Sequence, residues 1–327
     1  MESITKTPLN KEKIESLVKN AFGNKVNVIT ISELEDGWFN AIYLVALDDN
    51  REVVLKVAPS PEIKVLRYEK NIMNAEVEVM KLLKSSTKIP VPEIYYYDTS
   101  KNIINNEYYF MEKIQGQPYS KIKENLPECH KESIEIELGR YNRQINDIKN
   151  DRFGNVGQME KMNFKWSETF FNLVKDILLD GQEYEVKLPF DYDYIEALFL
   201  EKTQVLDLVT EPSLVHWDLH DGNVFVDEST YKITGIIDFE RAFWGDPLIE
   251  VYFGDFFNKK YFTKGYGIEL ITTKEAECRR ILYNIYLYLI MVIECKYRHV
   301  ENQGHIKWTY EMLESEINKY IRANKFI

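Results

Sequence analysis

LVHWDLHDGNVFV, residues 214–226, concentrates ionisable side chains between two apolar runs. Within eight positions the stretch holds His216, Asp218, His220, Asp221 and Asn223. Such a cluster suits a zinc site, a nucleotide site or an ordinary polar turn. Residues elsewhere in the chain must distinguish these three interpretations.

The composition indicates a folded protein with enough residues for two lobes. The 327 residues are 45% hydrophobic and 29% charged, which is typical of globular rather than disordered chains. A chain of this length holds about two domains. The net charge of −12 disfavours the basic surface that neutralises phosphates, so we expect no nucleic-acid partner.

Cysteine usage and hydropathy favour a cytoplasmic protein. Cys129, Cys278 and Cys295 are far apart and form no C-x-x-C pair, which argues for a reducing compartment. The first residues contain no apolar core of signal-peptide length. The longest apolar run, 281–295, is broken by Asn284 and is too short to span a bilayer. We therefore expect a buried helix there and no membrane partner.

Hydrophobic periodicity predicts an α+β protein with a strand-rich front and a helical rear. In the front we expect helices at 9–22 and 62–84 and strands at 27–32, 41–47, 51–58, 89–98 and 107–114, with a hairpin turn at 48–50. In the rear we expect helices at 128–147, 165–180, 192–208, 272–298 and 306–323, and short strands at 213–216, 223–227 and 232–237. The change in pattern predicts an N-terminal lobe at residues 1–112 and a C-terminal lobe at residues 113–327.

Zinc is the weakest interpretation of the opening stretch. His216 and His220 are four residues apart, a spacing that shares a helix face, but the flanks are strand-like and there is no H-E-x-x-H. A second interpretation uses Asp218, Asn223 and the Asp238 of KITGIIDFE. Asn and Asp oxygens suit Mg²⁺, and Asp218 could then orient an alcohol and accept its proton. A polar β-hairpin with an Asx turn is the third possibility.

HWDLHDGN, followed by IIDFE and GDPLIE at 245–250, resembles segments of the aminoglycoside phosphotransferase family. That family is related to choline kinases and has a protein-kinase-like fold. The resemblance implies a bilobal fold with a small antiparallel β-sheet N-lobe and a mainly helical C-lobe. It also implies a catalytic Asp218, Mg²⁺ held by Asn223 and Asp238, and ATP or GTP as phosphate donor. Trp217 departs from the family, which commonly has Gly there.

By the same resemblance, the N-lobe binds the nucleotide. Lys56, in VVLKVA, stands where a third-strand lysine contacts the phosphates, and Glu76 is the expected partner on the following helix, with Glu69 and Glu78 as alternatives. The segment MEKIQG matches the family's linker, so the carbonyl of Glu112 and the amide of Ile114 are expected to contact adenine.

Two further features come from the same match. GWFNAIYLV at 37–45 resembles the family's phosphate-covering hairpin and supplies Gly37 and Asn40 as nucleotide-binding residues. Only seven residues separate Asp238 from Asp246, too few for the long activation segment of protein kinases. A small-molecule acceptor is therefore favoured over a protein.

The expected acceptor is a cationic alcohol, foremost an aminoglycoside-type antibiotic, which would make the protein a resistance kinase. Acidic residues crowd the segment 180–196, and Glu240, Asp246 and Glu250 could complete an acidic wall for such a cation. Choline-like, macrolide and sugar acceptors are alternatives. A catalytically weak nucleotide-binding module and a metal-dependent hydrolase are alternatives from other classes. The expected ligands are the nucleotide triphosphate and the alcohol, and the expected oligomeric state is a monomer or a homodimer.

Overall fold

The computed structural model describes residues 5–34, 39–253 and 260–324. Numbered in chain order, the strands are β1 (Val28–Glu33), β2 (Ala41–Leu47), β3 (Glu52–Val57), β4 (Ile94–Asp98), β5 (Tyr108–Glu112), β6 (Gln117–Pro118), β7 (Gly154–Asn155), β8 (Ser213–Val215), β9 (Val224–Val226), β10 (Ile233–Ile236) and β11 (Phe243–Gly245). The helices are α1 (Lys11–Phe22), α2 (Ile72–Ser86), α3 (Tyr119–Ile122), α4 (Glu128–Asn146), α5 (Trp166–Glu183), α6 (Tyr192–Leu200), α7 (Thr203–Leu206), α8 (Lys260–Tyr266), α9 (Lys274–Tyr297) and α10 (Gln303–Asn324). In these described ranges, no helix combines the length and the apolar character needed to cross a membrane.

The chain divides into two compact units, and neither is continuous in sequence. The first unit contains the described parts of Met1–Val65 together with Met73–Asn125 and Asp221–Glu240. The second unit contains Leu66–Ile72, Leu126–His220 and the described parts of Arg241–Ile327. The boundary predicted between residues 112 and 113 lies inside the first unit. That unit continues to Asn125 and also contains the later segment Asp221–Glu240.

The first unit is built on an antiparallel sheet with the strand order β1-β2-β3-β5-β4. Alternate residues of β2 are buried, the period expected of a strand with one face on a core. The predicted turn at 48–50 is present, with Asn50 in the left-handed region at a φ of 67°. Because β3 is the central strand, its Lys56 is flanked by Ile42 on one side and Tyr109 on the other.

Helix α2 begins ten residues later than the predicted start at residue 62. The carboxylate of Glu69 accepts a hydrogen bond from the amide of Leu66 at 2.9 Å, which closes a 3-10 turn at Arg67–Glu69. Asn71 then takes a left-handed φ of 60°, a conformation that cannot belong to a right-handed helix. The apolar spacing through residues 65–72 therefore does not reflect one continuous helix.

A second sheet of the first unit has the order β10-β9-β6, and its strands β9 and β10 belong to the segment Asp221–Glu240. Gly116, just before β6, has a φ of 101°, and a Cβ atom there would lie 2.4 Å from the carbonyl oxygen of Val226 in β9. Only glycine permits both this backbone conformation and this approach. The end of the linker segment is thereby held against the hairpin of β9 and β10.

The second unit is mostly helical, with a small sheet in the order β7-β11-β8. Helix α9 is buried along most of its length, as predicted for residues 281–295. The helix predicted at 192–208 is divided into α6 and α7, because Lys202 leaves the helical region with a φ of −110° and a ψ of 17°. Trp166 is fully buried in the aromatic core, where it stacks on Phe170 and Phe243.

Candidate active site

A buried lysine and three carboxylates form one cluster in the first unit. The Nζ atom of Lys56 lies 2.7 Å from Glu76, 2.9 Å from Asp238 and 3.2 Å from Glu240. Lys56 and Glu76 are almost inaccessible to solvent, whereas Asp238 is partly exposed. Of the three candidate partners for Lys56, the structure brings Glu76 to the lysine. Glu69 belongs to the second unit, where it pairs with Arg298.

The charges of this cluster do not balance, because one ammonium group faces three carboxylates. Burial opposes the charge of Lys56, but Asp238, Glu240 and Glu76 together raise the pKa of the lysine well above its usual value. Burial also raises the pKa of Glu76, to about 7, and the nearby Asp238 and Glu240 add to that rise against the effect of Lys56. Excess negative charge of this kind attracts a cation.

The donor atoms of the cluster fit a hard divalent cation. Oxygen atoms of Glu76, Asp238 and Glu240 all lie within 4.8 Å of one another, and Mg²⁺ prefers carboxylate and carbonyl oxygens. Among the described residues, this is the one group of His, Cys, Asp and Glu side chains with such spacing. Neither His216 nor His220 belongs to it, so the zinc interpretation gains no support.

Asp238 and Glu240 lie just after the end of β10. Asp238 has a left-handed φ of 69°, uncommon for a residue other than glycine and characteristic of functional sites. Glu240 lies in the 3-10 turn that follows, and its carboxylate accepts a hydrogen bond from the side-chain amide of Asn40 at 2.8 Å. Glu240, predicted to bind the acceptor, is thus placed with Lys56 and Asn40.

Asn223 is held beside the end of β10 by the backbone. Its carbonyl accepts a hydrogen bond from the amide of Ile237 at 3.0 Å, and Val224 pairs with Ile236. Asn223 and Asp238 therefore stand at the same end of one β-hairpin. The first residue of the same 3-10 turn, Asp221, is fixed by an ion pair with Lys123 at 2.9 Å.

The linker is described throughout, whereas the covering hairpin is described only from residue 39 onward. Glu112 is the last residue of β5, and Ile114 follows two residues later with its side chain packed over Gly235 of β10. A Cβ atom on residue 235 would lie 2.6 Å from Ile114, so the glycine makes room for the linker. Gly37 lies outside the described residues.

The loop that carries Asp218 belongs to the second unit. The backbone amides of His216 and Trp217 both donate to the carboxylate of Glu250, at 2.9 and 2.8 Å. The side-chain amides of Asn142 and Asn146 donate to the same carboxylate at 2.8 and 3.2 Å. Glu250 is fully buried and was predicted to bind the acceptor. The structure instead places it as the anchor of the chain just before Asp218.

An arginine that sequence reasoning missed lies next to Asp218. The Nε atom of Arg241 is 3.9 Å from a carboxylate oxygen of Asp218, and its Nη2 atom donates to Glu294 at 3.0 Å. The guanidinium group also lies over the ring of Tyr68, 5.3 Å from its centre. Arg241 directly follows the IIDFE motif, and that position was the only available signal.

Further charged residues, partly or fully buried, extend the ion-pair network of Arg241. Arg298 lies 3.2 Å from Glu294 and 2.6 Å from Glu69. Burial opposes ionisation of Glu294, but Arg298 and Arg241 outweigh it and lower the pKa of this carboxyl group. For Glu69 burial is the larger effect, and it raises the pKa to about 7. Two arginines and two glutamates thus form one network that ends at Asp218.

Other acidic residues predicted to bind the acceptor also have protein partners. Asp246 is buried and accepts hydrogen bonds from Arg279 at 2.9 Å, from the hydroxyl of Tyr283 at 2.8 Å and from the amide of Leu248 at 3.0 Å. In the segment 180–196, Asp180 and Glu183 both form ion pairs with Arg67. These carboxylates are neutralised within the second unit itself.

The chain is similar in sequence to several known proteins. A sequence model described as "Phosphotransferase enzyme family" matches residues 30–262. The methylthioribose kinase of Bacillus velezensis is 25% identical over 271 residues, which cover 74% of this chain and 65% of that protein. Methylthioribose kinase 1 of Oryza sativa subsp. japonica is 26% identical over 245 residues, covering 68% and 54%. The chain thus spans less than two thirds of the length of either relative.

Solved structures are similar over nearly the whole chain. The GDP complex of wild-type aminoglycoside 2′-phosphotransferase-IIIa has a TM-score of 0.59 at 19% identity, covering 94% of this chain and 98% of that one. The ternary complex of streptomycin, ATP and APH(2″)-IIa has a TM-score of 0.61 at 17% identity, covering 98% and 99%. These likenesses confirm the predicted α+β, protein-kinase-like fold class.

Proposed function

Because the chain belongs to the phosphotransferase enzyme family, as the resemblance to aminoglycoside phosphotransferases predicted, we propose that it transfers the γ-phosphate of ATP or GTP to a hydroxyl group of a small molecule. The observation that carries the proposal is the buried cluster in which Lys56 meets Glu76, Asp238 and Glu240. Neither a metal-dependent hydrolase nor an ordinary polar turn would require a lysine at its centre.

In this function Lys56 binds the phosphates of the nucleotide. Its ion pair with Glu76 keeps the ammonium group in place while the phosphates replace the other carboxylates as partners. Asn40 of the covering hairpin and, by the family match, Gly37 complete the phosphate side. The main-chain groups of Glu112 and Ile114 contact adenine.

Asn223 and Asp238 would hold Mg²⁺, and Glu240, from the same end of the hairpin, would be a third ligand. When bound, the ion neutralises the charge of the phosphates. A bound cation would offset the excess of three carboxylates over a single lysine, an arrangement that costs free energy in the absence of a further cation.

Asp218 accepts the proton of the acceptor hydroxyl and aligns its oxygen for in-line attack. Arg241 keeps the Asp218 carboxylate oriented, and Glu294 keeps Arg241 in place. Glu250 holds the backbone before Asp218. The chain therefore provides positioning and charge, which supply most of the rate of a loose phosphoryl-transfer transition state.

For the acceptor, we propose a neutral sugar-like alcohol. A polycation needs unpaired carboxylates, but Glu240, Asp246 and Glu250 each bind partners within the protein. Arg241 also places positive charge beside Asp218, which disfavours a cationic acceptor there. The methylthioribose kinases named above act, by their names, on a sugar derivative.

An aminoglycoside-type acceptor, and with it a role in antibiotic resistance, is the second candidate. It is supported by the exposed carboxylates of Glu185, Asp191 and Asp193 in the acidic segment 180–196, which could bind amino groups. None of these three residues belongs to the cluster around Lys56. An aminoglycoside would need their negative charge, whereas a neutral sugar-like acceptor would not.

A phosphotransfer screen tests the proposal. The purified chain is incubated with ATP or GTP and Mg²⁺ against pentose derivatives, aminoglycosides, choline and macrolides, and transfer of labelled γ-phosphate is measured. We expect transfer to a neutral sugar derivative that requires Mg²⁺. Transfer to aminoglycosides alone would favour the second candidate. Nucleotide binding without transfer to any class would leave a binding module, contrary to the proposal.

A further inference from the structure

Trp217 occupies an unusual backbone conformation immediately before Asp218. Its φ is 64°, in the left-handed region that is unfavourable for residues other than glycine. The related family commonly has glycine at this position, which adopts such a conformation without strain. A tryptophan there must therefore be held by contacts that glycine would not make.

Those contacts reach both the peptide and the ring of Trp217. The peptide amide donates to the buried carboxylate of Glu250 at 2.8 Å. The indole ring stacks on Tyr286 of α9 with 5.4 Å between ring centres and 11° between planes. It also meets Phe243 of β11 edge-on at 5.7 Å. Only 5% of the residue is exposed, so the ring is part of the core.

The residues that receive the ring are themselves fixed. Tyr286 is buried and packs edge-on against Phe170 of α5 at 5.4 Å. Phe243 stacks on Trp166 with 6° between the planes. The orientation of the Trp217 ring is therefore set by the aromatic core of the second unit, and rotation of the peptide would have to move that ring.

We infer that Trp217 is a positioning residue for Asp218, an inference that rests on the proposed function of Asp218 as the base. Glycine at this position tolerates a left-handed φ but also samples many others, since it has no side chain to restrain it. The stacked indole instead restrains the backbone of residue 217 to the left-handed conformation. With Glu250 on the amide and Tyr286 on the ring, the peptide that leads into Asp218 has a single orientation, which keeps the carboxylate beside Arg241.

Substitutions that separate the ring from the backbone conformation test this inference. Trp217→Phe keeps an aromatic ring, Trp217→Ala removes it, and Trp217→Gly removes it while relieving the left-handed strain. For Ala and Gly we expect kcat to fall on the order of 10²-fold, the effect of misplacing a reacting group by about 1 Å. The KM for the nucleotide should stay unchanged, because Asp218 does not bind it. Trp217→Phe should recover much of the loss.

Hydrogen exchange of the segment 214–220 provides a readout that does not depend on activity. The amides of residues 216 and 217 donate to Glu250 in the wild type, so we expect slow exchange there and faster exchange in Trp217→Ala and Trp217→Gly. Trp308→Ala is the matched control, since Trp308 belongs to α10 and packs edge-on against Tyr288 of the same helix α9 at 6.1 Å. It should lower stability with no change in kcat or in exchange of 214–220.

The possible failures can be told apart. If the wild type transfers no phosphate, the proposed function is wrong, and the exchange experiment still tests whether the ring restrains the loop. Wild-type kcat in Trp217→Gly would show that only the backbone conformation matters and would overturn the inference. An equal loss of kcat in Trp308→Ala would overturn it as well, because the effect would then be general destabilisation of α9.

Discussion

The carboxylate of Glu250 accepts a hydrogen bond from the backbone amide of Trp217 at 2.8 Å, across 33 residues of sequence. The same carboxylate binds the amide of His216 and the side chains of Asn142 and Asn146. One buried acid thus connects helix α4, the strand end after β8 and the segment after β11. Its substitution should disturb the fold and the catalytic loop together.

Glu250→Ala should lower the free energy of unfolding by at least about 2 kcal/mol, because it leaves several buried donors without an acceptor. It should also lower kcat. Glu250→Gln keeps one acceptor oxygen and should be milder in both respects. Urea denaturation and steady-state kinetics check this, with the exposed Glu211→Ala as control. A rise in the KM for the acceptor at unchanged stability would instead indicate the acceptor-binding role predicted from the sequence.

Lys56→Met should reduce phosphotransfer on the order of 10²-fold by removing a charge that stabilises the transferred group. Glu76→Gln should also reduce it, since Lys56 then loses its fixed partner. The double variant should be little worse than Lys56→Met, because the two side chains act as a pair. Additive losses would contradict this coupling. The exposed Lys25→Met provides the control for loss of one positive charge.

Glu240→Gln should raise the Mg²⁺ concentration needed for half-maximal activity and leave the KM for the acceptor unchanged. The reason is that Glu240 lies with Asp238 and Glu76 among the oxygen donors around Lys56. A Mg²⁺ titration at saturating nucleotide measures the effect, with the exposed Glu62→Gln as control. An altered acceptor KM at unchanged Mg²⁺ dependence would place Glu240 on the acceptor side instead.

Glu69 should make stability fall as the pH rises. Its pKa is about 7 in the folded protein against 4.5 as the ordinary value, so the native state binds this proton more tightly than the unfolded state does. The stabilisation is complete below about pH 4.5 and is lost as the pH passes through about 7, with an upper limit of about 3 kcal/mol.

Glu69→Gln should remove that part of the pH dependence. The difference in unfolding free energy between wild type and variant, measured from pH 5 to pH 8, should shift against the wild type as the pH rises. A constant difference across this range would mean that Glu69 is ionised throughout and fully compensated by Arg298, which lies 2.6 Å away.

Several features could be predicted from the sequence because they depend on the order of the motifs along the chain. Lys56 lies on the central strand and meets Glu76, as the match to the family motifs implied, and the hairpin that carries Asn223 and Asp238 follows from two short apolar runs around a turn. Such features need only local patterning and the sequence of motifs.

The partners of buried acids were not predictable in this way. Glu240, Asp246 and Glu250 share an acidic stretch, yet they bind Asn40, Arg279 and the loop before Asp218 respectively. Each partner is distant in sequence, and a carboxylate that binds the protein has the same sequence signature as one that binds a ligand. The start of α2 was mispredicted for a related reason, since the side-chain cap of Glu69 and the left-handed Asn71 interrupt a periodic apolar pattern.

Asp218→Ala provides the most direct test of phosphotransfer by this chain. Transfer of labelled γ-phosphate to the acceptor found in the screen, and Mg²⁺-nucleotide affinity measured by calorimetry, are compared between wild type and variant. Loss of a positioned general base costs about 10²–10⁴-fold in rate, so we predict that transfer falls by that factor while nucleotide affinity is unchanged. Near-normal turnover in Asp218→Ala would contradict the assignment of Asp218 as the base and, with it, the proposed mechanism.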